Sequence, residues 1–128
     1  MGTGQGLIDP GVMLATTHEL IDGSRVRLRL TRPTDLEKIA AFLQRWSVDG
    51  NAADFAFYDP RERLTLAATR PSGVGEEIVG LADVEFLGTG PAETGVVVGD
   101  DWRGHGLGTL LSEAVASLAR RRRRRRAA

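Results

Sequence analysis

The stretch from Val96 to Leu111 constrains this chain more than any other: Val-Val-Val-Gly-Asp-Asp-Trp-Arg-Gly-His-Gly-Leu-Gly-Thr-Leu-Leu. Three β-branched residues in a row, Val96-Val97-Val98, predict a strand buried on both faces. Asp100-Asp101-Trp102 reads as a polar turn. Gly104, Gly106 and Gly108 alternate, so the backbone there can approach a bulky group without Cβ clashes. Leu107, Leu110, Leu111, Ala114, Val115 and Leu118 then recur at helical spacing and form one apolar stripe. A strand that feeds a glycine-rich turn at a helix start makes an anion site. The first N–H groups of the helix have no intrahelical partner, and the dipole favours negative charge. Residues 103–109 therefore point to a phosphate-bearing ligand.

The spacing narrows the ligand. A kinase-type phosphate loop needs Lys-Ser/Thr after its second glycine, and none is present. A dinucleotide fingerprint needs a glycine where Arg103 stands and an acidic residue about 20 positions on, where this chain has arginines. Arg103-Gly104-His105-Gly106-Leu107-Gly108 instead resembles the R/Q-x-x-G-x-G/A signature of the GNAT superfamily of acyl-CoA N-acyltransferases. From Ala92 through Leu111 the chain is similar to bacterial protein-lysine acetyltransferases of that superfamily, and the resemblance covers roughly residues 24–119.

The resemblance implies an α+β fold, a mixed and mostly antiparallel sheet with flanking helices. It implies acetyl-CoA as acyl donor and an amine, such as a protein lysine, as acceptor. Main-chain N–H groups of Arg103, Gly104, His105, Gly106, Leu107, Gly108 and Thr109 would cradle the coenzyme diphosphate. The backbone of Val96, Val97 and Val98 would pair with the pantetheine amides, with the N–H of Val98 on the thioester oxygen. His105 is read as a variable position without a titrating role. Glu93 lies ten positions before Arg103 and matches a glutamate of the lysine-acetyltransferase-like members, which makes it the candidate base. Asp83 and Glu85 are its rivals. No residue is placed to become acylated, so direct transfer is expected.

Composition sets the outer limits. With 128 residues the chain suits one domain with one core. Zero cysteines exclude disulfides, a thiol nucleophile and thiolate metal sites, and two histidines exclude a histidine-rich metal centre. No metal is expected. No apolar run approaches the ~20 residues of a membrane span, and the N-terminus lacks the layout of a secretory signal, so a cytoplasmic location is expected. The net charge of zero hides a segregation. Of 17 Lys and Arg, seven are Arg120–Arg126, so ten basic residues face 17 acidic ones in the rest of the chain. An acidic body suits a basic substrate.

Along the chain, residues 1–15 carry little pattern and are expected to be disordered. Thr16–Leu20, Asp22-Gly23 and Arg25–Thr31 predict a hairpin. Val26, Leu28 and Leu30 would face the core, while Arg25, Arg27 and Arg29 share the other face and meet phosphate, solvent or neighbouring carboxylates. Thr34 and Glu37 have capping-box spacing, ahead of an apolar stripe of Leu36, Ile39, Ala40 and Leu43. Residues 47–62 give no clear pattern, although Phe55, Phe57 and Tyr58 form an aromatic group suited to a core. Leu64–Thr69 and Ile78–Leu87 predict strands joined by a loop over residues 70–75, and Gly80 marks a bulge or a close contact. Ala92–Val98 is the next strand.

A complete domain of this kind continues with a strand, a helix and a strand pair, for which residues 120–128 leave no room. Such a domain often uses a tyrosine of the following helix to protonate the leaving thiolate, and the one tyrosine here, Tyr58, precedes the motif. The expected organisation is thus a partial N-acetyltransferase domain over 16–119 and an arginine-rich tail over 120–128. Without a further strand, Ala92–Val98 would be a bare sheet edge open to self-association. Three readings of Arg120–Arg126 stay open: a solvated end of the helix, a nucleic-acid or anionic-surface contact, or the accidental terminus of a longer domain. The alternative function is a non-catalytic interaction module that binds nucleic acid through that run.

Overall fold

The computed structural model describes residues 17–127, with side chains through Arg122. The expected disordered segment 1–15, Thr16 and the side chains of Arg123–Arg126 lie outside the described residues. Five strands form one sheet in sequence order: β1 (Thr17–Glu19), β2 (Arg25–Leu30), β3 (Arg63–Ser72), β4 (Gly75–Glu85) and β5 (Glu93–Val98). Every pairing is antiparallel. Three helices accompany them: α1 (Leu36–Arg45), α2 (Ala52–Ala56) and α3 (Leu107–Ala127). This is the expected α+β arrangement.

The sheet carries helices on both faces. On one, α3 covers Leu66, Ala68, Val79, Ala82 and Val84 with Leu107, Leu111, Ala114 and Val115. On the other, Ile39, Phe42 and Leu43 of α1 and Ala56 of α2 cover Ala67, Ile78 and Leu81. One irregularity aligns both clusters. Ala68 pairs with Gly80 but Thr69 pairs with Ile78, so Val79 is an extra residue on β4. The bulge reverses the alternation there and puts Ile78 on the same face as Leu81. Gly80 also has a packing reason. A Cβ built on it would lie 2.9 Å from Leu111 Cδ1 and 3.3 Å from Leu107 Cδ2. The bare backbone lets α3 settle onto the sheet.

Several details differ from the pattern read in the sequence. Leu30 ends β2 outside the α3-side cluster and is exposed, whereas Val26 and Leu28 are buried as expected. In α1 the buried stripe is Ile39, Phe42 and Leu43, while Leu36 and Ala40 lie on its exposed flank. The predicted 70–75 loop is a two-residue turn, because β3 runs to Ser72 and β4 begins at Gly75, with Arg70 paired to Glu77 across the ladder. Val96, Val97 and Val98 are half-buried rather than buried on both faces, since β5 is the last strand of the sheet among the described residues.

The cap of α1 also departs from the Thr34–Glu37 expectation. The chain enters α1 through a 3-10 turn, Pro33–Asp35, and the Arg32 N–H donates to Asp35 Oδ2 at 2.8 Å. Asp35 wins that role because Arg29 on β2 grips the same carboxylate, with Nη1 and Nη2 at 2.7 and 2.8 Å. Arg29 also binds Glu76 of β4, which Lys38 approaches at 3.9 Å. Asp35 is buried, so this network ties β2, β4 and the start of α1 together. The hydrogen bonds from Arg29, outweighing burial, hold its carboxyl below the ordinary aspartate range. The α3 helix runs continuously through Ala119–Arg120. Arg122 lies 4.3 Å from the Phe86 ring centroid and donates to the carbonyls of Pro60 and Arg61.

Two stability outcomes follow from this packing. A carboxyl whose pKa is depressed by folding contributes fully above its unfolded pKa and loses that contribution as pH falls through the folded value. Asp35→Asn therefore lowers unfolding free energy at pH 7 by roughly 1.5–3 kcal/mol, the worth of hydrogen bonds to a charged group. Urea denaturation repeated near pH 3 shows a smaller gap between variant and wild type. Gly80→Ala, with its Cβ driven against Leu111, destabilises the chain by about 1–3 kcal/mol in the same measurement.

Candidate functional site

The segment after β5 is built to leave donors free. The Gly99 N–H donates to Val79 O at 3.0 Å and closes the β4–β5 ladder. Asp100–Trp102 then makes a single 3-10 turn, held by Trp102 N–H on Gly99 O at 2.8 Å. Gly104 and Gly106 follow with φ of +82° and +89°. Residues in this alternating left-handed conformation turn successive N–H groups toward one concave side, the arrangement that receives anions. The α3 helix starts at Leu107, with Leu110 N–H on Gly106 O at 3.0 Å closing its first turn. Among the described residues, no hydrogen bond takes up the N–H groups of residues 104–109. Arg103, Gly104 and Thr109 are exposed, and Leu107 anchors the turn in the core. The Arg103 guanidinium rests on Asp100, Nε to Oδ1 at 3.2 Å, on an open surface.

Strand geometry extends these donors along β5. Bond directions alternate along an antiparallel strand. With the Gly99 N–H turned toward β4, that of Val97 faces β4 as well, and those of Val96 and Val98 face the open edge. The cradle and this edge are therefore continuous. Two open hollows of about 450 and 280 Å³ lie elsewhere, at the α1–α2 connection and along the β1–β2–β3 edge. The glycine loop lines neither of these.

At the other end of β5, Glu93 is exposed and stands opposite Glu85, which stands opposite Arg63. Asp83, one row further in, is bound to Arg63 at 2.7 Å. Arg63 in turn lies 5.1 Å from the Phe55 ring centroid. Asp83 is thus held by a cation, while Glu93 has no ion pair among the described residues. Tyr58 is engaged far from the loop, its hydroxyl donating to Thr31 O at 3.1 Å. The structure brings residues 103–109 and 96–98 together, and separates Glu93 from them along the strand.

The family model of the acetyltransferase (GNAT) family matches residues 31–128. The chain belongs to that family. Its fold is that of the GNAT domain of S. lividans PAT, with a TM-score of 0.67 at 24% identity over 84% of this chain and 72% of that one. A ribosomal-protein-alanine N-acetyltransferase from Brucella melitensis biovar Abortus 2308 superposes with a TM-score of 0.55 at 25% identity, over 76% of this chain and 73% of that one. A cAMP-binding acyltransferase from Mycobacterium smegmatis gives 0.52 at 24% identity, and there the match spans 31% of the longer protein. No curated protein matches the chain. As a GNAT member it is an N-acetyltransferase by family, and GNAT proteins generally use acetyl-CoA as a substrate. Among the described residues no group of acidic or histidine side chains could hold a metal, and no helix is long and apolar enough to cross a membrane.

Three contacts of this GNAT site carry no sequence signal. The Trp46 indole, at the end of α1, fills the space where a Gly99 Cβ would stand, 2.7 Å from its Nε1. The neighbouring Arg45 reaches Asp101 at 3.8 Å. Ile21 and Asp22, in the β1–β2 turn, lie against His105 and Gly106. All three join residues far apart in the chain, and neither periodicity nor spacing reveals such pairs.

Proposed function

We propose that this chain binds acetyl-CoA on the glycine loop and β5, and transfers the acetyl group directly to a primary amine, with a protein lysine as the acceptor class. The observation that carries this reading is the set of N–H groups at residues 104–109 that have no partner among the described residues, on two left-handed glycines at a helix start. Such donors suit a diphosphate, whose oxygens accept charge-assisted hydrogen bonds. Gly104, His105, Gly106, Leu107, Gly108 and Thr109 form the cradle with their amides, whereas the Arg103 N–H donates to Asp100 O at 3.3 Å and only its exposed guanidinium is left for the ligand. Val96 and Val98 hold the pantetheine arm with their edge-facing amides, Val97 between them is turned to β4 and is not available to it, and the N–H of Val98 polarises the thioester oxygen.

The reaction forms an N–C bond and breaks a C–S bond. The amine nitrogen gives up a proton, and the departing thiolate takes one. Glu93 is the base in this reading. From Glu93 to Val98 the strand spans about 16 Å at ~3.3 Å per residue. A glutamate side chain does not cross that distance, so the proton reaches Glu93 through water. Asp83 is nearer but bound to Arg63, which supports a part in orienting the acceptor ammonium rather than in deprotonating it. The excess of acidic over basic residues outside Arg120–Arg126 supports a cationic acceptor.

Calorimetric titration with coenzyme A tests the cradle. Gly106→Ala must hold a Cβ at a positive φ, 3.3 Å from Ile21 Cδ1. The strain of roughly 1–2 kcal/mol weakens binding about tenfold. Absence of binding by the wild type would overturn the proposal. For the base, Glu93→Gln lowers kcat/KM for a lysine peptide by about 100-fold. A loss below about threefold assigns the role elsewhere.

A further inference from the structure

The β1–β2 turn is not part of the cradle, yet it touches the cradle at three points. The Ile21 N–H donates to His105 O at 3.1 Å. The Asp22 carboxylate approaches the imidazole, Oδ2 to Nδ1 at 3.2 Å. The Ile21 side chain covers Gly106, with Cδ1 and Cγ1 at 3.3 and 3.4 Å from where a Cβ would stand. The turn is itself rigid. Asp22 Oδ1 accepts from Ser24 N–H at 2.9 Å, and Leu20 and Ser24 close the hairpin at 2.7 Å. The Ser24 hydrogen bonds come first, with the nearby imidazole contributing, in lowering the Asp22 pKa.

We infer that this turn is a latch, with Asp22 and Ile21 acting as positioning residues that hold the glycine loop in its anion-receiving form. The inference rests on the reading of residues 104–109 as the coenzyme cradle. Two left-handed glycines two residues apart make a segment with much conformational freedom to lose. Two of the latch contacts fall on His105, the residue between those glycines, and the third on Gly106. His105 Nδ1 is buried and makes no hydrogen bond among the described residues, and Asp22 Oδ2 is 3.2 Å from it. A carboxylate this close to that nitrogen favours one orientation of the ring. The Trp102 ring stands edge-on to the imidazole at 6.1 Å between centroids and completes the seat. Ile21 is 83% exposed. Its Cδ1 and Cγ1 nevertheless stand over Gly106, where a Cβ would meet them.

The sign of one substitution separates a latch from a bystander. A carboxylate that only sat beside the cradle would repel a diphosphate, and neutralising it would tighten coenzyme binding. A latch gives the opposite result. Asp22→Asn keeps an acceptor for Ser24 N–H and so preserves the turn. We expect it to weaken coenzyme A binding by roughly threefold in calorimetry, the scale of an exposed charge pair, with the melting temperature of the unliganded chain unchanged. His105→Gln weakens binding similarly, and the double variant is no worse than either single one, because both remove the same contact. Nitrogen NMR of the His105 ring shows a changed Nδ1 resonance in Asp22→Asn if the two side chains are in contact, and an unchanged one counts against the latch. Equal or tighter binding by Asp22→Asn, or additive losses in the double variant, would overturn the latch. A wild type that binds no coenzyme A instead overturns the cradle reading itself.

Discussion

The closure of α3 against Gly80 is the contact on which the rest of the structure depends. Leu107 and Leu111 reach the sheet at Gly80, which offers them bare backbone next to the bulge at Val79. Those two leucines are fully buried, and each contributes roughly 1.5–3 kcal/mol by leaving water. The consequence for the site is geometric. Leu107 is the first residue of α3, so the contact that stabilises the core also fixes where the helix begins. The donors of the first turn are then aimed past the end of β5 rather than into the core. Core packing and the proposed anion cradle share Leu107, so a change at Gly80 acts on both.

The opposite face of the sheet needs a different bond. There Arg29 and Asp35 join β2 to the start of α1, and Glu76 joins them to β4. Breaking a buried pair costs more than the pair contributes, because the survivor stays desolvated. The network thus fixes the register of α1 on the sheet. That register carries Trp46 to Gly99 and Arg45 to Asp101, so α1 supports the turn before the cradle from below while the β1–β2 turn supports the cradle itself. The loop with the most backbone freedom is braced from two sides by elements that contribute none of its donors.

What could be read from the sequence was local. Strand, turn, glycine loop and helix from Val96 to Leu118 follow from periodicity and from the distinctive backbone of glycine, and the folded chain has them in that order. Hairpins were legible wherever a turn pair separated alternating residues. Errors fell where a tertiary partner overrode a local rule. Thr34 and Glu37 had the spacing of a cap, but Arg29 recruited Asp35 to that role. Leu36 and Ala40 fitted a stripe that the sheet met about one turn further on. The valines of β5 were composed for a buried strand and stand at an open edge. His105, which carries no signal in the motif, acquired a partner only when β1 and β2 folded over the loop.

The open edge and the untaken amides belong to one energetic arrangement. A buried amide without a partner costs about 1–3 kcal/mol. Gly104 and Thr109 are exposed, which lets water serve that part of the loop, and β5 is the last strand of the sheet among the described residues, which leaves the amides of Val96 and Val98 at its edge. The same hydration sets the terms of recognition. Exchanging water for a neutral acceptor yields only about 0.5–1.5 kcal/mol per bond, whereas a charged acceptor yields roughly 1.5–3. An uncharged ligand on these amides therefore gains little. On the proposed reading, a diphosphate gains at the free amides of the loop, and an extended amide-bearing chain adds a weaker ladder along β5, which is why a ligand charged at one end and peptide-like at the other is the one proposed.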